Sequence, residues 1–200
     1  MNDSAAHRRL TDAIRVLVER ATMSDAGAEA MAAATGLVEQ AGALIERRTP
    51  YERTNLLAQT PLWDPSSEMT THPIIGHHNS LAPEHARLVG SGTSITGDMQ
   101  YGTAYQGPDG LVHGGVIAGL FDALQATTAS AAMGAALTHT LTIRYRRPTP
   151  LWQPLAVESH VDRIEGRKAF TVSTIKAHGE VTAESTGFFV RAERPDAIGD

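Results

Sequence analysis

From Gly110 to Ile143 the chain carries a single charged side chain, Asp122, although Asp, Glu, Lys and Arg make up 20% of its 200 residues. A stretch so poor in charge must be covered over most of its surface, so it belongs inside a fold. Its first part, from His113 to about Met133, is free of proline and long enough for one helix of roughly 30 Å. At about 100° per residue, Ile117, Leu120, Phe121, Leu124, Thr128 and Ala131 share one side, a stripe suited to lying on a sheet. Asp122 points away from it, among Gly115, Ala118, Gly119, Gln125, Ala126 and Ala129, a surface that admits a second backbone or a ligand. If both sides are covered, Asp122 is partly desolvated, and a carboxylate withdrawn from water is either a working group or a costly one. The other reading is a carboxylate that faces solvent or caps a neighbouring element.

The rest of the chain divides around this helix. Residues 1–48 repeat apolar side chains at helical spacing, first Leu10, Ile14, Leu17 and Val18, then Met31, Leu37, Val38, Leu44 and Ile45. They are expected to form a helical hairpin acting as a lid or an oligomer contact, with a coiled-coil partner helix as the alternative. Residues 49–84 hold five of the ten prolines, which excludes a long helix and makes this segment an irregular connector. Residues 85–194 form the main domain, and 195–200 a tail. Within it, ARLVGSGTSITGDMQYGTAY reads as strands punctuated by glycine. After the helix, THTLTIRYR alternates Leu141, Ile143 and Tyr145 against Thr140, Thr142 and Arg144, the period of a half-buried strand. Three more strands follow, with Glu165 and Gly166 in one turn and His178 and Gly179 in the next. The expectation is an α+β domain: strand, long helix, then an antiparallel meander of four.

At the start of the helix, LVHGG places two glycines where unpaired backbone N–H groups and the positive end of the helix dipole favour developing negative charge. Such N–H groups can hold an oxyanion, although a glycine pair also marks a tight turn. Gly114 and Asp122 are eight residues apart, about 12 Å along one helix. They cannot both touch one reacting carbon. If both take part, the site joins Gly114 of one chain to Asp122 of another across a twofold axis.

The order of elements resembles the hotdog fold, an antiparallel sheet wrapped around a long central helix. HGGVIAGLFD, with Asp122 nine positions after His113, resembles the motif of the phenylacetate-degradation type of acyl-CoA thioesterase. LTIRYRRPTPLWQPL and VDRIEGRKAF resemble its next two blocks, and the likeness covers roughly residues 73–191. The resemblance implies hydrolysis of an acyl-CoA thioester by a homodimer or a dimer of dimers. It makes Asp122 the general base or nucleophile, Gly114 N–H the group that polarises the carbonyl, and Thr138 the hydroxyl that places the attacking water. It assigns substrate contacts to His113, Gly115, Tyr145, Arg146, Arg147, Pro148, Gly166, Arg167 and Lys168, and places His77 and Asn79 of PIIGHHNSLAP at the acyl pocket or in securing its loop. The family often has Asn six residues before the His of HGG. Here that position is Gly107, which leaves Gln106 or a backbone group to take its place.

Other chemistries fit less well. The charge of −5, from 17 basic and 22 acidic residues, leaves no strongly basic face for nucleic acid. The chain has no cysteine, so it has no disulfide framework, thiolate metal site or cysteine nucleophile. His72, His77, His78 and His85 cluster in the connector, but with no carboxylate set or HExxH helix alongside, neither a metal nor a cofactor is expected. No uninterrupted apolar run suits a membrane span and the first residues do not resemble a secretion signal, so the expected location is the cytoplasm. GTSIT lacks the second glycine of a serine-hydrolase elbow around Ser94, and no DxNPxH-like segment of a hotdog hydratase occurs. The remaining alternative is an acyl-CoA-binding or assembly protein of the same fold without catalysis.

Overall fold

The charge-poor segment folds as one helix, and a sheet closes around it. The computed structural model describes residues 3–45, 72–76, 78–83 and 85–192. Helices α1 (Asp3–Thr22) and α2 (Ala28–Ala43) come first, then strands β1 (His85–Ser91) and β2 (Ser94–Met99) and a 3₁₀ turn at Thr103–Tyr105. Helix α3 spans Gly114–Met133, and strands β3 (Ala136–Tyr145), β4 (Leu155–Glu165), β5 (Lys168–Ala177) and β6 (Glu180–Arg191) complete the order. The described strands form one six-stranded antiparallel sheet in the order β1-β2-β4-β5-β6-β3. With α3 along its inner face, this is a hotdog fold.

The expected four-strand meander is corrected by this order. β3 pairs with β6, not with β4, which instead fills the place between β2 and β5. Hydrophobic alternation marks each strand but carries no information about which neighbour it takes. The first hairpin turn also shifts by one residue. Glu165 is still paired, with Lys168, so the turn is Gly166–Arg167. In the second, His178 and Gly179 have φ of 52° and 79°, two consecutive left-handed residues of the kind that close a two-residue hairpin.

β5 shows why the helix sits where it does. Ala169, Thr171, Ser173, Ile175 and Ala177 are buried in strict alternation, which presents one face to α3. Leu120, Phe121 and Leu124 are fully buried against Leu155, Ile175 and Ala183, each aliphatic or aromatic side chain contributing roughly 1.5–3 kcal/mol. Polar pairs are built into the same contact: Thr128 Oγ1 meets Ser159 Oγ at 2.9 Å, and Thr171 Oγ1 donates to Gln125 Oε1 at 2.6 Å. The sheet-facing stripe is therefore rotated from the expected one. Gln125 and Ala129 are fully buried, whereas Ala131 is exposed. By length and composition α3 is apolar enough to cross a membrane, but here it is the core helix of the sheet.

Among the described residues, the first helix docks and the second has no comparable contact. Arg15 and Glu19 of α1 reach the 72–83 segment and the 3₁₀ turn. No residue of α2 is buried, and Leu37, Val38 and Leu44 are exposed.

Candidate active site

Two features of one helix define the site: a helix start without side chains at Gly114 and Gly115, and a carboxylate two turns further on. His113 caps α3 with φ −60° and ψ 134°, its Nδ1 accepting from Gly115 N–H at 3.0 Å. His113 O accepts from Val116 and Ile117 N–H at 2.9 and 3.2 Å. Among the described residues no acceptor meets the Gly114 N–H. An unpaired donor at a helix N-terminus is suited to a carbonyl oxygen that gains charge. Tyr145 Oη donates to the Gly114 carbonyl at 2.8 Å, tying the edge strand β3 to this turn.

Gly107 is pressed against the same turn. A Cβ there would stand 2.9 Å from His113 Cα, so the close approach of two backbones excludes a side chain such as Asn. Gln106 lies beside this turn. Its Oε1 accepts from Gly110 N–H at 3.2 Å, which closes the loop ahead of the helix.

Asp122 lies on the open side of α3, half-buried. Thr138 Oγ1 donates to its Oδ1 at 2.7 Å. A register shift in the β3–β6 pairing falls between Thr138 and Thr140, and a bulge of this kind re-aims the side chains beside it. The carboxylate is thus oriented by one hydroxyl, and Oδ2 has no protein donor among the described residues. His72 lies close enough to feel the Asp122 charge. Burial lowers the imidazole below its ordinary value, with the carboxylate opposing that shift. His72 Nδ1 accepts from Ile74 and Ile75 N–H at 3.1 and 3.4 Å, so the neutral ring carries its proton on Nε2. Sequence reasoning singled out His72 only within a histidine cluster. Nothing in its spacing marks proximity to Asp122.

Between this segment and the helix start lies an apolar cavity of about 460 Å³, lined by Pro73, Ile74, Leu81, Tyr101, Tyr105 and Val116 together with His113 and Gly115. That volume falls in the range of small-molecule sites. Asn79 secures the segment, its Oδ1 accepting from Leu81 N–H at 2.9 Å. His77 lies outside the described residues.

The basic residues are engaged within the chain. Arg146 pairs with Glu184 and Arg147 with Glu180, while both backbone N–H groups donate to Thr182 O at 2.7 and 3.0 Å. Exposed Pro148 follows them. Arg167 beside Gly166 donates to Arg191 O at 3.0 Å, and Lys168 Nζ stands 5.8 Å from the Phe188 ring centroid. Arg163 covers the Phe170 ring at 3.7 Å and pairs with Asp162 and Glu165. Among the described residues no group of three or more His, Asp or Glu forms a metal cluster.

Comparison with known proteins bears on this arrangement. The thioesterase superfamily matches residues 109–184, which include α3, Asp122 and Thr138. The chain is 40% identical over 97 residues to the mouse acyl-coenzyme A thioesterase THEM4, and 36% identical over 95 residues to that of Xenopus laevis. These matches cover 48% and 46% of this chain but only 42% and 43% of the relatives, so the chain spans less than half the length of either. A crystal structure of a thioesterase superfamily protein superposes with a TM-score of 0.78 at 33% identity, covering 92% of this chain and 90% of that one. The E. coli PaaI protein from the phenylacetic acid degradation operon shares the fold, with a TM-score of 0.51 at 17% identity over 54% of this chain and 80% of that one. With 33% identity to a structure it covers almost end to end, the chain belongs to the thioesterase superfamily.

Proposed function

We propose that the protein hydrolyses an acyl-CoA thioester to the free acid and coenzyme A. The observation that carries this reading is the Asp122–Thr138 pair at 2.7 Å on a helix whose first N–H has no acceptor among the described residues. A hydroxyl-oriented carboxylate and an unpaired amide are the two groups that thioester hydrolysis requires: one activates water and the other holds the oxyanion. The names of the relatives point to the same reaction.

Asp122 and Gly114 are eight residues apart on one helix, about 12 Å by helical rise, so the reading includes a homodimer in which each site takes Gly114 from one chain and Asp122 from the other. Asp122 removes a proton from water as the oxygen attacks the thioester carbonyl. The carbonyl oxygen takes up the displaced electron pair against the Gly114 N–H. Collapse of the tetrahedral adduct breaks the C–S bond, and the thiolate leaves and is protonated as CoA. Direct attack by Asp122, giving an anhydride that water then cleaves, uses the same groups. Thr138 holds the carboxylate in either case. The acyl group enters the cavity bounded by His113, Gly115 and Tyr105.

For the nucleotide end, the candidates are two separate patches: Tyr145 to Pro148 follows the end of β3 level with Ala183, and Gly166 to Lys168 lies at the other end of the sheet, level with Val190 and Leu137. Arg146 and Arg147 would exchange their carboxylate partners for phosphate, a contact that guanidinium forms well. The proposed setting is the cytoplasm. The test is release of free thiol from short, long and aromatic acyl-CoAs by the purified protein. Turnover of at least one class is expected. Saturable binding without turnover of any would favour the non-catalytic acyl-CoA-binding alternative.

A further inference from the structure

The α1 helix is joined to the rest of the chain by polar contacts more than by burial. Thr11 is buried, while Leu10, Val16, Leu17 and Val18 remain exposed by 41–51%. Hydrophobic packing therefore gives this helix little hold. Prominent in its hold are two side chains one turn apart, which face the same way on a helix.

Arg15, whose side chain is only 16% exposed, points into the 72–83 segment. Its Nε donates to Ala82 O at 2.9 Å, and Nη2 donates to Asn79 O at 2.9 Å and reaches Gly76 O at 3.4 Å. Asp12 Oδ1 holds Nη1 at 2.7 Å. Three carbonyls of one short segment thus converge on one guanidinium, whose rigid fork is pre-organised for such contacts. Glu19 takes the neighbouring turn. Its Oε1 accepts from Thr103 N–H at 3.0 Å and its Oε2 from Ala104 N–H at 3.3 Å. Tyr105 of that turn closes the clasp by donating to Leu81 O at 3.0 Å, and His7 stacks on His78 at 4.5 Å.

The segment held in this way runs along the open face of α3. His72 feels Asp122, a Cβ on Gly119 would meet Ile74 Cδ1 at 3.3 Å, and Pro73, Ile74 and Leu81 wall the cavity beside Gly115. We propose that Arg15 is a positioning residue for acyl selectivity: by gathering the Gly76, Asn79 and Ala82 carbonyls it fixes, from outside the cavity, the segment that walls it. The inference rests on the hydrolase reading above. An eight-carbon acyl group would touch more of this wall than a two-carbon one. Loosening the segment therefore changes the preference between them rather than the chemistry.

The test compares full-length wild type with Arg15→Met and with Arg15→Lys, which keeps the charge but replaces the fork by one ammonium. Hydrogen exchange over residues 72–83 and kcat/KM for octanoyl-CoA and acetyl-CoA are measured together. In Arg15→Met the amides of Gly76, Asn79 and Ala82, which donate within the segment, are expected to exchange faster. The octanoyl-to-acetyl ratio is expected to fall on the order of 10-fold, the scale of losing one charge-assisted hydrogen bond. Acetyl-CoA turnover stays close to wild type, and Arg15→Lys falls between the two. An unchanged ratio in both folded variants, with or without faster exchange, would overturn the inference alone. A wild type inactive on every acyl-CoA would overturn the hydrolase reading, and this inference with it.

Discussion

Thr138 Oγ1 donates to Asp122 Oδ1 at 2.7 Å, joining the middle of α3 to the first turns of the edge strand β3. The contact orients the single charge of the 110–143 stretch and leaves Oδ2 without a protein donor among the described residues. Thr138→Ala is expected to lower kcat about 10- to 100-fold, the cost of a hydrogen bond to a charged group. Thr138→Ser, which keeps the hydroxyl, should stay within a few-fold of wild type in a thiol-release assay. Equal losses in both variants would assign the effect to packing.

Gly114→Pro removes the proposed oxyanion donor with little disturbance. Proline is well tolerated at the first position of a helix, and His113 at φ −60° and ψ 134° already has the extended conformation required before proline. The variant is expected to retain its thermal midpoint while kcat falls roughly 100- to 1,000-fold. Mixing it with Asp122→Asn chains tests the cross-chain arrangement. Two inactive parents should form mixed dimers with one intact site each, and activity should reappear. Failure of mixed dimers to recover any turnover would contradict the cross-chain site.

Much of this site was legible in the sequence because it is local. The single charge at Asp122 and the glycines at Gly114 and Gly115 stand on one helix, and helical geometry fixes their separation before any tertiary contact is known. Thr138 lies sixteen residues on, and only the bulge in β3 determines that it meets Asp122. Arg15 and Gly76, Asn79 and Ala82 are 61 to 67 residues apart, and no periodicity connects them. Strand order was illegible for the same reason. β3 alternates equally well beside β4 or β6, and the choice depends on closure of the sheet around α3. Gln125 was misplaced because it lies at the edge of the helical stripe, where a polar side chain buried against Thr171 cannot be told from one facing water.

His72 gives the protein an acid-sensitive contact. Burial holds its imidazole below the ordinary value, so the native chain binds fewer protons than the unfolded chain as pH falls. Its contribution to stability is complete above about pH 6.5 and is lost as pH drops toward the lower native value. His72→Asn keeps an acceptor for the Ile74 N–H but does not titrate. The thermal midpoint of wild type is expected to decline more steeply between about pH 6.5 and pH 5 than that of the variant. Parallel slopes would remove His72 from the acid response.

Gly187 provides a measure of how tightly α3 is clasped. A Cβ at this position in β6 would collide with Gln125 Oε1, Phe189 Cε2 and Thr171 Oγ1, all inside the core. Gly187→Ala is expected to destabilise by about 1–3 kcal/mol, the cost of overpacking, measured by denaturant midpoint at unchanged slope. A midpoint equal to wild type would show that the Gln125–Thr171 contact has slack to give.

The most direct measurement is turnover and binding by Asp122→Asn on the acyl-CoA that wild type hydrolyses best. Asn is close in shape to Asp and can still accept from Thr138, so the site is preserved while the base or nucleophile is removed. Acyl-CoA binding by titration calorimetry is expected to persist with kcat lowered about 100- to 10,000-fold. Hydrolysis at the wild-type rate by a folded, ligand-binding Asp122→Asn protein would contradict the assignment of Asp122 to the reaction.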